Sequence, residues 1–262
     1  MTTWKSILTY DGGPYHGWQV QPGLATVQGT LAEALEHVTG ESVLPQGSGR
    51  TDTGVHALGQ VVSFSLATAI PAANLLRALN RALPASIRVL SVEAMDDGFH
   101  ARHSSVRKTY EYRIFPRLAV GQDRICSPML APWVWECRWP LVLGAMQEAA
   151  RCVLGSHDFT SFAASDPDRA TRDADTEEAP DNVRTIFSSE WAEEDGLMVY
   201  RVTGSGFLHH MVRNLVGTFV DVGRGRIAPE YVRQILEARQ RSAAGATAPA
   251  KGLFLVSVEY AA

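Results

Sequence analysis

The sequence predicts a mixed fold of the α+β or α/β class, built from two similar halves. Some segments place apolar residues at every second position, as half-buried strands do, and others at every third or fourth position, as amphipathic helices do. The two kinds of segment alternate along the chain, which excludes the all-α and all-β classes. With 262 residues, 45% of them apolar, the chain can bury one large core or two modest ones.

In the first half, the periodicity predicts three strands with two helices between them. One helix follows Thr26, a suitable N-cap, and ends before Gly40. The other begins at Pro71 and is closed by Pro84. The predicted strands are Trp4–Tyr10, Gly59–Leu66 and Ile87–Ala94.

The second half repeats this alternation after a junction near residues 98–106. Within it, the acidic stretch 166–181 is expected to be a solvated, partly disordered loop. The predicted strands are Arg107–Phe115, Val183–Trp191, Leu197–Thr203 and Gly252–Tyr260, and the predicted helices are Pro140–Val153, Phe207–Val222 and a short one after Pro229.

Composition excludes several classes of protein. No apolar run approaches the ~18 residues of a membrane-spanning helix. The first ten residues lack the pattern of a secretory signal peptide. Cys126, Cys137 and Cys152 are too few for a disulfide framework, and no two of them form a CxxC pair. We therefore expect a cytoplasmic protein that does not enter a membrane.

The net charge of −4 hides an uneven distribution. Residues 166–181 contain seven acidic residues and two arginines, and outside them 22 basic residues face 21 acidic ones, a net charge of +1. Of the 24 basic residues, 21 are arginine, which suits bidentate contacts to phosphate. The same bias is also typical of an Ala-rich genome composition, so charge alone does not select a nucleic-acid partner.

The densest polar segment is Gly47–His56 (GSGRTDTGVH), where three glycines bracket Arg50 and Asp52. Glycine permits tight turns and the close approach of a ligand. A carboxylate two residues from an arginine is expected to stay ionised, as a nucleophile or base must at neutral pH. An Asx turn with Arg50 at the surface fits the same pattern, so the residues alone leave both interpretations open.

The choice between a catalytic carboxylate and a simple Asx turn is made by the residue order of this segment together with further segments along the chain. Residues 49–56 (GRTDTGVH), followed by GQVVSF, resemble the active-site motif of the TruA family of tRNA pseudouridine synthases. The resemblance extends over essentially the whole chain. The other matching segments are 10–21 (YDGGPYHGWQVQ), 99–102 (FHAR), 108–112 (KTYEY), 157–162 (HDFTSF), 207–217 (FLHHMVRNLVG) and 252–260.

The resemblance implies a fold and an architecture. The fold is the α+β pseudouridine synthase fold, in which two RRM-like α/β halves carry a mainly antiparallel central sheet with a cleft between them. Residues 1–103 would form the half with the aspartate loop, and residues 104–262 the half that completes the cleft. The family also implies a homodimer that binds one tRNA with both subunits.

The resemblance likewise implies the reaction, an isomerisation of uridine to pseudouridine at positions 38, 39 and 40 in the anticodon stem-loop of tRNAs. The N1–C1′ bond breaks, the uracil turns while bound, and C5 bonds to C1′. Because nothing is oxidised and no water is consumed, neither a redox cofactor nor a metal is expected.

Asp52 and Tyr110 match the family's site, and Arg50 and Arg213 are added as candidates on chemical grounds. Asp52 matches the essential aspartate, whose carboxylate adds to C1′ or C6 or removes the C2′ proton; these routes stay open. Tyr110 is expected to lie against the uracil and offer its hydroxyl. Arg50 would pair with Asp52 or fill the space left by the displaced base. Arg213, in an otherwise apolar helix, needs a partner, with Asp52 or a phosphate as candidates.

The sequence departs from the family pattern at two places. Thr53 replaces a smaller Ala or Ser, and we expect it to face the exterior of the loop. The basic loop that the family places after HDFTSF is acidic here, with only Arg169 and Arg172 early in it. Phosphate contacts are therefore expected from basic residues elsewhere, such as Arg102, Arg107, Lys108 and Arg113.

Two other functions are considered as alternatives to a pseudouridine synthase. A non-catalytic RNA-binding module would use KTYEY as a stacking platform but leaves GRTDTGVH unexplained. A metal-dependent hydrolase would need Asp52, His56 and the pair His209 and His210. On a helix, adjacent histidines point ~100° apart, which disfavours their joint ligation of one ion.

Overall fold

The computed structural model describes residues 1–119, 122–165 and 182–261, which form two compact units. Unit 1 consists of Met1–Glu111 together with Ala250–Ala262, and unit 2 of Tyr112–Pro249. The domain division at residues 103 and 104 stays a prediction. The acidic stretch 166–181 lies outside the described residues, as do Arg169 and Arg172.

The elements confirm the predicted mixed α+β class. The helices are α1 (Val27–Thr39), α2 (Ala72–Ala82), α3 (Leu143–Arg151), α4 (Met211–Gly223) and α5 (Tyr231–Ala238). The strands are β1 (Thr2–Tyr10), β2 (Gln46–Gly47), β3 (His56–Leu66), β4 (Ile87–Met95), β5 (Ser105–Pro116), β6 (Leu118–Ala119), β7 (Gln122–Asp123), β8 (Trp135–Cys137), β9 (Gly155–Asp158), β10 (Val183–Glu194), β11 (Leu197–Gly204) and β12 (Leu253–Tyr260).

Unit 1 is built on a sheet in the order β4-β1-β3-β12. Strand β1 pairs antiparallel with both β3 and β4, and the short β2 pairs antiparallel with β3. The last strand, β12, joins β3 in parallel through Phe254 opposite His56 and Leu255 opposite Ala57. This pairing assigns the C-terminal strand to the same unit as the N-terminus.

Helix α1 confirms the predicted caps. The Thr26 hydroxyl accepts a hydrogen bond from the Gly29 N–H at 3.2 Å, and Gly40 ends the helix with a φ of 75°. Both signals are local, because a cap contacts only backbone groups within one turn of the helix.

Unit 2 places an antiparallel sheet, β9-β10-β11, beside helices α3 and α4. Trp191 of β10 stacks on its cross-strand partner Tyr200, with ring centroids 5.0 Å apart. Tyr200 in turn contacts Phe219 of α4, edge on, at 5.3 Å. These large buried rings fix α4 against the sheet.

Two predicted helix starts are wrong. Helix α4 begins at Met211 rather than Phe207, because His210 adopts a left-handed conformation with φ 59° and ψ 2°. Helix α3 begins at Leu143 rather than Pro140, since the extended Val142 donates its N–H to the Gly223 carbonyl at 2.8 Å. Within the described residues, no helix combines the length and the apolar character needed to cross a membrane.

Candidate active site

The motif GRTDTGVH forms the connection between β2 and β3 in unit 1. The Val55 N–H donates to the Asp52 carbonyl at 3.0 Å, which closes a turn over Thr53 and Gly54. Asp52 is half-buried, and Thr53 is exposed, as predicted. The turn therefore presents Asp52 just before the start of β3, a strand that is paired on both sides within the sheet of unit 1.

A buried polar network fastens this loop to the sheet. Gln60 of β3 accepts a hydrogen bond from the Ser48 hydroxyl at 2.7 Å, and it donates to the Gly49 carbonyl at 2.9 Å and to the Tyr10 hydroxyl at 3.4 Å. The Tyr10 and Thr51 hydroxyls lie 2.8 Å apart. The network thus reaches the loop on both sides of Arg50.

The N-terminal motif 10–21 supports the same loop from another direction. The Trp18 N–H donates to the Thr51 carbonyl at 2.9 Å. Gly17, with φ 86°, lies so close that a Cβ there would stand 2.8 Å from that carbonyl oxygen. A side chain at Gly17 would displace the residue that precedes Asp52, which explains a glycine at this position.

The first four residues of the KTYEY motif on β5 belong to unit 1, and Lys108 contacts the loop. Lys108 Nζ donates to the Ser48 carbonyl at 2.5 Å. Tyr110 is buried; burial first, and then the charges of Tyr10 and Asp52, raise the pKa of its phenol far above the ordinary value. The structure therefore brings Asp52 together with a tyrosine that stays protonated at neutral pH and can donate a hydrogen bond.

Arg50, the third predicted site residue of unit 1, is half-buried on the same loop. Its neighbours Gly49 and Thr51 are both held by the buried network, so its backbone is fixed although it has no regular secondary structure. Its predicted roles, pairing with Asp52 or filling the gap of a displaced base, stay predictions.

Arg213, the fourth predicted site residue, belongs to unit 2 and lies in the first turn of α4. Its Nε donates to the Ala248 carbonyl at 2.8 Å, and the Ala248 N–H donates to the Arg213 carbonyl at 3.1 Å. The sequence predicts Asp52 or a phosphate as a partner of Arg213, and this stays a prediction. A backbone carbonyl 35 residues away was not indicated by the sequence, because nothing local joins the two segments.

The segment that carries Ala248 is fastened to α4 by Asn214, whose side chain is fully buried. Asn214 Oδ1 accepts from an Arg241 guanidinium N–H at 2.9 Å and from the Thr247 hydroxyl at 2.7 Å. Asn214 Nδ2 donates to the Phe162 carbonyl at 2.7 Å. One helical residue thus ties two other segments of unit 2 to the helix beside Arg213.

The histidines occupy different settings. His56 is buried in unit 1, where its Nδ1 lies 3.1 Å from the Gly12 nitrogen and 3.2 Å from an Asp11 carboxylate oxygen. In unit 2 the His209 and His210 rings lie 4.0 Å apart. Since both residues precede α4, the expectation that they diverge as helical neighbours is wrong, and these two imidazoles lie close enough to be considered together as metal ligands.

The basic residues expected to contact phosphate are distributed over both units. Arg102 and Arg107 of unit 1 are exposed, and Lys108 is half-buried at the loop. Arg113, which is half-buried, belongs to unit 2.

Sequence reasoning missed Gln60, Tyr10 and Thr51 as supports of the site. The signal was present for Gln60, because a carboxamide within the apolar strand segment GQVVSF must find hydrogen-bond partners when it is buried. Which partners it finds depends on the sheet that brings β1 and the loop to the same place.

Comparison with known proteins assigns a family. A model of the tRNA pseudouridine synthase family matches residues 7–104 and 149–261. The chain is 53% identical over 256 residues to a tRNA pseudouridine synthase A from Solibacter usitatus, and the match covers 98% of each chain. It is 42% identical over 259 residues to the Bacillus subtilis protein of the same name, again with 98% of each chain covered.

Proposed function

Because the chain belongs to the tRNA pseudouridine synthase family, we propose that it converts uridine to pseudouridine in the anticodon stem-loop of tRNA, at positions 38, 39 and 40, with Asp52 as the catalytic carboxylate. The observation that carries the proposal is the Asp52 turn itself. It is half-buried, held by buried hydrogen bonds on both sides of Arg50, and adjacent to a protonated tyrosine in the same unit.

The reaction needs one carboxylate and no net change in oxidation state. The N1–C1′ bond breaks, the uracil turns, C5 bonds to C1′, and the proton from C5 is lost while N1 gains one. Asp52 acts by adding to C1′, by adding to C6, or by removing the C2′ proton. Deuterium at C2′ separates the last route, since only there does breaking the C2′–H bond slow the chemical step.

Tyr110 supplies a ring face and a hydroxyl beside the carboxylate. Its phenol is neutral at neutral pH, and the raised pKa keeps it neutral far into the alkaline range, so it does not add a second negative charge next to Asp52. A neutral phenol can donate a hydrogen bond to a uracil carbonyl while the ring stacks on the base. Arg50 is proposed to pair with Asp52 or to fill the space left by the displaced base, and Arg213 is proposed to contact a phosphate.

The decisive experiment maps pseudouridine in tRNA incubated with the purified protein. Asp52→Asn keeps the shape of the side chain but removes its charge, so turnover should fall by about 1,000-fold or more, while tRNA affinity changes little. Thr53→Ala is the matched control, because it alters an exposed side chain of the same turn. Wild-type protein that forms no pseudouridine in any tRNA would overturn the proposal.

The same assay separates the two rival functions. An RNA-binding module would retain its whole function in Asp52→Asn, since binding does not need the carboxylate. A metal-dependent hydrolase built on Asp52 and the histidines would lose activity in excess EDTA. The proposed isomerase should be equally active with and without the chelator.

We propose further that the protein is a cytoplasmic homodimer whose two copies bind one tRNA. The family resemblance implies this, and although each chain has a net charge of −4, a dimer would bring the basic residues of two copies to one tRNA. The mass in solution from light scattering tests the dimer. If phosphates dominate binding, affinity for tRNA should fall by about 1,000-fold between ~50 and ~200 mM salt, and a flat response would contradict phosphate contacts.

A further inference from the structure

We infer that Gln60 is a positioning residue of the isomerase, which holds the Asp52 turn in its reactive geometry without touching the substrate. The inference rests on the proposed function. Gln60 lies on β3, beyond the segment GRTDTGVH, and we infer that it fixes the position of the Asp52 carboxylate in that segment. It is drawn from the hydrogen bonds of one fully buried side chain on β3.

The Gln60 carboxamide is fully used by the loop and its support. A primary amide offers two N–H donors and one oxygen acceptor. Both donors are engaged, with the Gly49 carbonyl at 2.9 Å and the Tyr10 hydroxyl at 3.4 Å, and the oxygen accepts from the Ser48 hydroxyl at 2.7 Å. Two of these three partners lie in the loop, and the third, Tyr10, contacts Thr51 in the loop.

The direction of the hydrogen bonds continues the chain of contacts to Asp52. Because the Tyr10 hydroxyl accepts from Gln60, its own proton is available to donate to the Thr51 hydroxyl. Burial raises the pKa of Tyr10 to about 12, so that proton is present throughout the working pH range. Thr51 directly precedes Asp52, and the Asp52 carbonyl closes the turn.

Two of the three hydrogen bonds of Gln60 hold the loop next to Asp52 and not a regular element of the fold. Gly49 and Thr51 lie on the two sides of Arg50, and neither residue belongs to a regular element that would otherwise fix it. Catalytic groups must be held to within about 0.5 Å, and a displacement of about 1 Å can cost about 100-fold in rate. Loss of the carboxamide contacts should therefore affect kcat more than tRNA binding.

Two variants test the role of Gln60. For each variant, single-turnover pseudouridine formation and tRNA binding are measured. Gln60→Glu has the same shape, but it puts an acceptor oxygen where the amide NH2 group donates to Gly49 and Tyr10. We therefore expect kcat to fall by about 10- to 100-fold while the Kd for tRNA stays within about twofold. Tyr10→Phe removes one hydroxyl from the same network and should lower kcat by a smaller factor. Because both act through the loop, their effects on kcat should be less than multiplicative when combined.

Ser63→Ala is the matched control. Ser63 is buried on the same strand, and its hydroxyl accepts from the Ala101 N–H at 3.0 Å, away from the loop. It should lower the melting temperature by a few degrees and leave kcat unchanged. If Gln60→Glu fails to fold, Tyr10→Phe carries the test by itself.

The possible outcomes separate this inference from the proposed function. If the wild type is active and Asp52→Asn is inactive, but Gln60→Glu and Tyr10→Phe keep the kcat of Ser63→Ala, then Gln60 is only structural and the inference fails. If the variants weaken tRNA binding and leave kcat unchanged, it fails as well. An inactive wild type overturns the proposed function first.

Discussion

Unit 1 and unit 2 each use one buried carboxamide to fasten a functional segment, but they fasten different things. In unit 1, Gln60 stands on a strand and holds the loop that carries Asp52. In unit 2, Asn214 stands beside Arg213 on helix α4 and holds the segment that packs on that helix. The first carboxamide positions the functional residue itself, and the second positions its neighbours.

The difference shows where each site residue obtains its rigidity. The backbone of Arg213 is fixed by the helix, so the network around Asn214 chiefly joins α4 to the residues around Arg241 and Thr247. The backbone of Asp52 lies in a turn, where hydrogen bonds from distant residues must do what a helix does locally. We therefore expect damage to the unit 2 network to appear first in stability, and damage to the unit 1 network first in catalysis.

The largest effect on stability is expected from Asn214→Leu. The substitution removes the donor to the Phe162 carbonyl and the acceptor that the Arg241 guanidinium and the Thr247 hydroxyl share, so the free energy of unfolding should fall by about 3 kcal/mol. Urea denaturation measures the change. Asn214→Asp, which keeps the acceptor for Arg241, should cost less, and a loss equal to that of an exposed substitution would contradict the unit 2 network.

Gly217→Ala should have the next largest effect. A Cβ at Gly217 would overlap the carbonyl oxygen of Ala246, so α4 and the segment that contains Ala246 must move apart. The expected loss of unfolding free energy is about 2 kcal/mol. Gly144→Ala on α3 is the matched control, because the added Cβ would have no atom of the described residues within 4 Å apart from its chain neighbours and its own helix backbone. The two variants should therefore differ clearly in melting temperature.

Tyr10→Phe should change how the stability of unit 1 depends on pH in the alkaline range. The folded-state pKa of Tyr10 is raised to about 12 against an ordinary 10, so its stabilising contribution is complete below pH 10 and is lost as pH rises toward 12. At pH 11 the wild type should have lost about 1.4 kcal/mol through this one group. The variant should show a correspondingly flatter decline between pH 9 and 11, and identical slopes would contradict the burial of this phenol.

The smallest expected effect is a gain in stability from His210→Gly. His210 holds a left-handed conformation that costs a residue with a Cβ about 1 kcal/mol, and glycine adopts it without that cost. The variant should therefore melt slightly higher than the wild type. His209→Gly, at a neighbouring position outside the left-handed region, should melt lower, and the opposite order would show that His210 is not strained.

Much of the fold could be predicted from the sequence, and the errors fall at particular places. The start and end of α1 were predicted correctly because Thr26 and Gly40 act within one helical turn. The start of α4 was not, since the apolar periodicity continues through residues 207–210 while the backbone at His210 turns left-handed. Asp52, Tyr110 and Arg213 could be identified as candidates because each lies in a motif that is recognised from the order of residues in the sequence alone.

The amino-acid sequence is enough to predict the alternation of strands and helices, the caps of α1 and the motif that carries the candidate carboxylate. Each of these depends on residues close together in the chain, where the spacing of side chains fixes which groups can meet. Three other features are visible only in the folded protein: β12 joins the N-terminal sheet, the Ala248 carbonyl accepts from Arg213 Nε, and Gln60 reaches the Asp52 loop. A buried polar group must find a partner, but which partner it finds is known only once the folded chain has brought distant segments together.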